Sequence, residues 1–167
     1  FNLKQSFGLL GFKEIASVEK ILVFMEKAIH GYSEFLTNLK TETPKIASAK
    51  IAGIVMNANP FTKGHQHLIE VAAKENDLVH VFVLSEDISE FPQKVRKELV
   101  IAGTKHLENV IVHDTRDYIV SSKTFPSYFI ADDLETTRIQ AALDATIFLD
   151  IAKTLGITKR YVGEEPY

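Results

Sequence analysis

The sequence predicts an α/β protein built on a Rossmann-like parallel sheet. From Ile51 onward, short apolar runs alternate with segments whose apolar residues recur at helical spacing, the pattern of a parallel sheet with helical crossovers. The intervals between runs are long enough for those helices. The first run ends in a polar turn, Asn57-Ala58-Asn59-Pro60-Phe61-Thr62-Lys63-Gly64-His65, which opens directly onto a helical pattern.

Taken in order, Gly11 to Ala16 and Ile21 to Met25 read as strands of a hairpin around Ser17-Val18-Glu19-Lys20. Tyr32, Phe35, Leu36 and Leu39 mark a helix. Thr41 to Ala49 loses that periodicity and contains Pro44, which places a linker there. The parallel strands are Ile51 to Met56, Leu78 to Leu84, Val110 to Val112 and Arg160 to Val162. A helix from about Lys63 to Lys74 follows the first strand. A second helix, opening with Lys94, Arg96 and Lys97, follows the next. These three cations read as a solvated face, with a phosphate contact as the alternative. The longest helix falls within Leu134 to Leu155, where Leu143, Ile147, Ile151 and Leu155 share one face and read as core. Asp132 and Asp133 in front of it suit a helix N-terminus.

The chain has 167 residues, 46% of them hydrophobic, enough for one well-buried domain with a small appendage. A net charge of -3 offers no global attraction to nucleic acid or an anionic membrane, so an anionic ligand must be held locally. The absence of cysteine excludes disulfides, thiolate metal sites and a cysteine nucleophile, and fits a cytoplasmic setting. No apolar run reaches membrane-spanning length. A start at Phe1 and a stop at Glu165-Pro166-Tyr167, directly after a strand, are those expected of a fragment.

In an open parallel sheet the ligand crevice lies beyond the carboxyl ends of the strands, which singles out the turn after Met56. Asn57, Asn59 and Thr62 carry short hydrogen-bonding side chains, Pro60 stiffens the turn and Gly64 permits close approach. Thr62 is a natural N-cap, and the helix beyond it directs its unpaired N–H groups and positive dipole end at the crevice, which favours phosphate. His65 falls in the first helical turn, within reach of such an anion; an ordinary capped helix with an exposed histidine is the competing reading. Lys63 either neutralises a phosphate or stands in solvent. His67 does not complete a His-x-His metal pair, because residues two apart on a helix diverge, and it is expected on another face. No residue is assigned as a metal ligand.

The turn resembles the first signature of the HIGH-type nucleotidyltransferase superfamily, (His/Thr)-x-Gly-His, here Thr62-Lys63-Gly64-His65 after Asn59-Pro60. Within it the chain is most similar to the C-terminal domain of citrate lyase ligases. The stretches carrying that likeness are Met56 to Thr62 with Gly64-His65, Ser121-Ser122-Lys123-Thr124-Phe125-Pro126-Ser127-Tyr128-Phe129, and Tyr161-Val162-Gly163-Glu164-Glu165-Pro166-Tyr167. The resemblance implies a Rossmann-like nucleotidyltransferase domain over residues 46–167. Residues 1–45 would be the tail of an acetyltransferase-like domain plus a linker, with Phe12, Ile15, Leu22 and Phe24 partly exposed or paired with another copy. It further implies ATP with Mg²⁺, acetate as the acid activated to acetyl-adenylate, and the prosthetic-group thiol on the acyl-carrier subunit of citrate lyase as acceptor.

Carried onto this sequence, Thr62 and His65 would contact the phosphates, with Lys63 beside them, and His65 would stabilise charge at the reacting phosphorus. Asn57, the Ala58 backbone, Asn59 and Gly64 would line the same crevice, and Gly163 and Glu164 would hold the adenosine. Ser121 to Phe129 would border the acyl or acceptor site, with Phe125 and Phe129 equally suited to the core. The superfamily's second signature, a Ser-rich turn ending in a basic residue, belongs after the fourth strand, where this sequence stops. Two other functions share the turn chemistry: an adenylyltransferase acting on a phosphorylated cofactor precursor, and a nucleotide-binding module without turnover.

Overall fold

A computed structural model of the chain describes residues 3–46, 49–85, 90–119, 125 and 133–163. The elements are α1 (Leu3–Leu9), β1 (Lys13–Val18), β2 (Leu22–Glu26), α2 (Tyr32–Glu42), β3 (Ile51–Met56), α3 (Lys63–Glu75), β4 (Leu78–Val83), α4 (Gln93–Thr104), β5 (Val110–Asp114), α5 (Asp133–Leu155) and β6 (Lys159–Tyr161). Only α1 has no counterpart in the sequence reading. Its seven residues bury nothing, so no apolar stripe announces it.

Four strands form a parallel sheet in the order β5-β4-β3-β6. The chain lays strands outward from β3 to β5, then returns to the far side of β3 with β6. That reversal opens a crevice between the carboxyl ends of β3 and β6, the topological switch point where such sheets take ligands. β4 lies inside the sheet and all six of its residues are buried, which is why its sequence is apolar on both faces apart from His80 rather than an alternation.

The pleat divides the core in two. Val79, Val81 and Val83 face α3 and α4, where they meet Ile69, Ala72 and Val100. Phe82 faces the opposite layer, made by α5, α2 and the antiparallel β1-β2 hairpin. The predicted stripe Leu143, Ile147, Ile151 and Leu155 is buried there, extended by Ile139. Burying each such side chain contributes roughly 1.5–3 kcal/mol before its entropy cost. Gly53 of β3 is required by this packing, since a Cβ there would stand 2.8 Å from Phe148 Cζ.

Phe12, Ile15, Leu22 and Phe24 are all half-buried, and the last three pack against the α5 cluster. The Glu26 carboxylate ties the hairpin to its surroundings: it accepts from the Tyr32 N–H at the start of α2 at 2.6 Å and from the Tyr118 hydroxyl at 2.9 Å. Among the described residues no helix is long and apolar enough to cross a membrane.

Candidate active site

The site is built where β3 gives way to α3. Ala58 takes a left-handed backbone, φ 52°, and is buried. A residue with a Cβ pays of order 1–2 kcal/mol for that conformation, so its surroundings must impose it. Three contacts with the α4 region flank it. Arg96 donates to the Asn57 carbonyl at 2.6 Å and to Asn57 Oδ1 at 2.7 Å. The Phe91 N–H donates to Asn59 Oδ1 at 3.1 Å. The Phe61 ring lies over Gly103, where an added Cβ would run into the ring edge.

Thr62 is the N-cap of α3, and His65 completes a reciprocal capping box with it. The Thr62 N–H donates to His65 Nδ1 at 3.0 Å, and Thr62 Oγ1 stands 2.8 Å from the same nitrogen. A backbone N–H can only donate, so Nδ1 must carry a lone pair and the neutral ring must hold its proton on Nε2. The Phe61 ring stacks on the imidazole with centroids 5.8 Å apart. His65 is thereby fixed in tautomer and in plane. It is also part of the cap, as the capped-helix reading expects.

A cleft of about 440 Å³ opens at the switch point beside this helix end. Thr62, Gly64 and His65 form its polar end, and Leu68, Val71 and Val162 form an apolar wall that leads to Gly163. Gly64 is not demanded by packing: a Cβ there would meet nothing nearer than Thr62 Oγ1 at 3.7 Å. What the missing side chain leaves open is the cleft, at the end of a helix whose N–H groups favour an anion.

His67 also lines this cleft, against the expectation that it leaves the helix on another face. Gly64, His67, Leu68 and Val71 follow the i, i+3, i+4, i+7 stripe of one helix face, and His65 enters from the helix end. Of the other residues singled out in the sequence, Asn57 and Asn59 turn their side chains toward Arg96 and Phe91, and Ala58 is packed beneath the loop. Lys63 is exposed at the first position of α3. Glu164 lies outside the described residues, as do Asp132, Phe129 and the rest of Ser121 to Phe129 except Phe125, which is buried in the α5 cluster.

The cations of α4 require a correction. Lys94 is exposed, but Lys97 pairs with Asp114 at 2.6 Å and Arg96 is 0% exposed. The signal was present in the spacing, since Arg96 shares the buried stripe of Val100 and Thr104 and does not sit on the solvent face. Sequence reasoning also missed a buried histidine pair, His80 Nδ1 and His113 Nε2, 2.9 Å apart. Burial pushes their pKa values down to about 3 and about 4, with mutual charge for His80 and Lys97 for His113 adding to the effect. His113 Nδ1 faces Glu42 Oε2 at 3.4 Å, longer than a good hydrogen bond, so both rings are neutral core groups.

Residues 51–167 match the family profile described as the citrate lyase ligase C-terminal domain. The chain belongs to the citrate lyase ligase family. The [citrate [pro-3S]-lyase] ligase of Escherichia coli K12 is 39% identical over 162 residues, covering 96% of this chain and 46% of the relative. That of Haemophilus influenzae is 44% identical over 125 residues, 74% of this chain and 37% of the relative. The chain thus spans about half the length, or less, of these citrate lyase ligases. Among solved structures it is similar to a bifunctional NMN adenylyltransferase/ADP ribose pyrophosphatase from Francisella tularensis, complexed with AMP and a Mn ion. That match has a TM-score of 0.39 and 20% identity over 63% of this chain and 29% of the other, too loose to bear on the site.

Proposed function

We propose that the switch-point cleft binds ATP and that the chain is the adenylate-forming part of an acid–thiol ligase acting on acetate. The observation that carries this reading is the pairing of Gly64, whose absent side chain opens the α3 N-terminus to the cleft, with a His65 ring locked as an Nε2–H donor. Membership of the citrate lyase ligase family supports the acid and the acceptor.

In this mechanism a carboxylate oxygen of acetate attacks the α-phosphorus of ATP, the bond from that phosphorus to the bridging oxygen breaks, and pyrophosphate leaves with the electron pair. The N–H groups of the first turn of α3 hold phosphate oxygens throughout. The Nε2–H of His65 strengthens its hydrogen bond as negative charge grows on the phosphoryl group, which lowers the barrier rather than the ground state. Mg²⁺ would accompany the triphosphate and screen its charge. The thiol of the prosthetic group on the citrate lyase acyl-carrier subunit then attacks the acetyl carbon, and AMP leaves. The apolar wall of Leu68, Val71 and Val162 suits the adenosine, with Gly163 at its end. Residues 1–45 belong, in this reading, to an acetyltransferase-like N-terminal domain, supported by a family match that begins at residue 51. The setting is cytoplasmic.

The test is ATP–pyrophosphate exchange by the full chain with and without acetate. Acetate-dependent exchange with AMP release on acylation of the carrier is the expected result. Exchange that ignores carboxylic acids but requires a phosphorylated cofactor precursor would replace the ligase with an adenylyltransferase. Nucleotide binding without any exchange would reduce the site to a binding module.

A further inference from the structure

We propose that Arg96 is a positioning residue: by holding both oxygens of Asn57, its guanidinium fixes where the N-terminus of α3 and the His65 ring stand. The functional consequence rests on the reading of the cleft given above; the geometry does not. Arg96 is 0% exposed, an unusual place for a group that carries a permanent charge. Its Nη1 donates to the Asn57 carbonyl at 2.6 Å and to Asn57 Oδ1 at 2.7 Å, and its Nε donates to the Phe91 carbonyl at 3.0 Å. One rigid fork therefore joins the end of β3 to the segment that leads into α4.

That segment closes the circuit, because the Phe91 N–H donates to Asn59 Oδ1 at 3.1 Å. Ala58 lies between the two anchored asparagines, in the left-handed conformation it would leave if released. Four residues past Ala58 stands Thr62, whose N–H and hydroxyl set the His65 ring. A shift at Asn57 is thus transmitted along a short, stiff loop to the imidazole. Misplacement of a reacting group by about 1 Å can cost on the order of a hundredfold in rate. A lysine keeps the charge but is a single point donor, and cannot bridge the oxygens of Asn57 and Phe91 with one planar group. Arg96→Lys therefore separates positioning from charge.

The test compares Arg96→Lys, Asn57→Ala and the double variant with the unmodified full chain, with Asn57→Ala as the milder probe should Arg96→Lys fail to fold. Amide hydrogen exchange of Thr62 and Phe91, both hydrogen-bonded through this loop, reads the positioning directly, whatever the ligand. In both single variants these two amides should exchange roughly ten- to a hundredfold faster, the factor expected when charge-assisted hydrogen bonds are lost. The amides of β4 should keep their protection. Acetate-dependent pyrophosphate exchange should fall by a similar factor in kcat, with ATP affinity changed only a few-fold. The double variant should be no worse than the more damaged single one. Unchanged Thr62 and Phe91 exchange in the variants that fold, or losses that multiply in the double variant, would overturn the inference. Failure of the unmodified chain to exchange pyrophosphate would instead count against the ligase reading, and the two amides would still decide the role of Arg96.

Discussion

Replacing Gly64 by alanine should move stability and nucleotide binding in opposite directions. A Cβ at this position would have Thr62 Oγ1 as its nearest neighbour, 3.7 Å away, an ordinary van der Waals distance. The folded state therefore has room for the methyl group. Gly64 is the second residue of α3, and exchanging glycine for alanine within a helix is worth up to about 1 kcal/mol. In the first turn a few tenths to 1 kcal/mol is a reasonable expectation. For a chain of this size that raises Tm by up to roughly 4 °C. The same methyl group projects into the cleft, at the place where the helix N–H groups would meet phosphate. Losing even one charge-assisted hydrogen bond there costs about 1.5–3 kcal/mol, a factor of ten to a hundred or more in Kd. Differential scanning calorimetry and isothermal titration with ATP measure the two effects on one sample. A Gly64→Ala protein that binds ATP normally would show that the cleft takes no phosphate at the end of α3. One that is severely destabilised would show that the glycine serves packing.

Three further perturbations follow from the same geometry. His65→Gln should retain the capping box, because the amide oxygen of a glutamine at this helix position accepts the Thr62 N–H, yet it replaces the ring Nε2–H by an amide N–H in a different place. Its Tm should be close to that of the unmodified chain while acetate-dependent exchange falls by about 10²–10³; His65→Ala should lose the cap as well, by about 0.5–2 kcal/mol in a chemical-denaturation curve. His67→Ala should weaken ATP binding more than it slows saturated exchange, since His67 lines the cleft but lies one turn along from the capped end; titration calorimetry against kinetics decides it. The buried pair His80 and His113, held down to about 3 and about 4 from an ordinary 6.5, binds fewer protons folded than unfolded below pH 6.5. Stability contributed by their neutral forms is therefore present above pH 6.5 and declines as pH falls toward 4, by about 1.4 kcal/mol per pH unit for each histidine. Urea denaturation at pH 7 and pH 5 should show that loss, and equal stability at the two values would refute neutral burial.

The parallel sheet was legible because its signals are periodic and local. Ile51–Met56 is an apolar run, Leu78–Val83 is one broken only by His80, and the stripe of Leu143, Ile147, Ile151 and Leu155 marks α5. The cap at Thr62 is equally local, since it depends on a residue type and a spacing of three. The parts that escaped depend on distant partners. Arg96 looks like one of three surface cations in Lys94-Val95-Arg96-Lys97, and only its stripe with Val100 and Thr104 hints at burial. Nothing near it in sequence names Asn57, 39 residues earlier, as its acceptor. His80 and His113 belong to strands whose pairing register aligns His80 with Ile111 and Phe82 with His113, and only that register brings the two imidazoles together.

His67 fits neither case. Its placement is local and legible from Gly64 rather than from His65. Measured from His65 it diverges by two residues; measured from Gly64 it is three residues on, and Leu68 and Val71 continue the same face. The glycine is the proper origin, because the cleft is open where its side chain is missing. The same reasoning sets the division of labour within the motif. Gly64 supplies space, Thr62 and His65 supply an ordered helix end and a donor of fixed tautomer, and the Leu68, Val71 and Val162 wall supplies an apolar surface running away from it. A triphosphate with an attached adenosine is charged at one end and flat and apolar at the other. The cleft offers those two environments in that order, so loss of the His65 donor should act on the rate, and Gly64→Ala and variants along the wall on affinity.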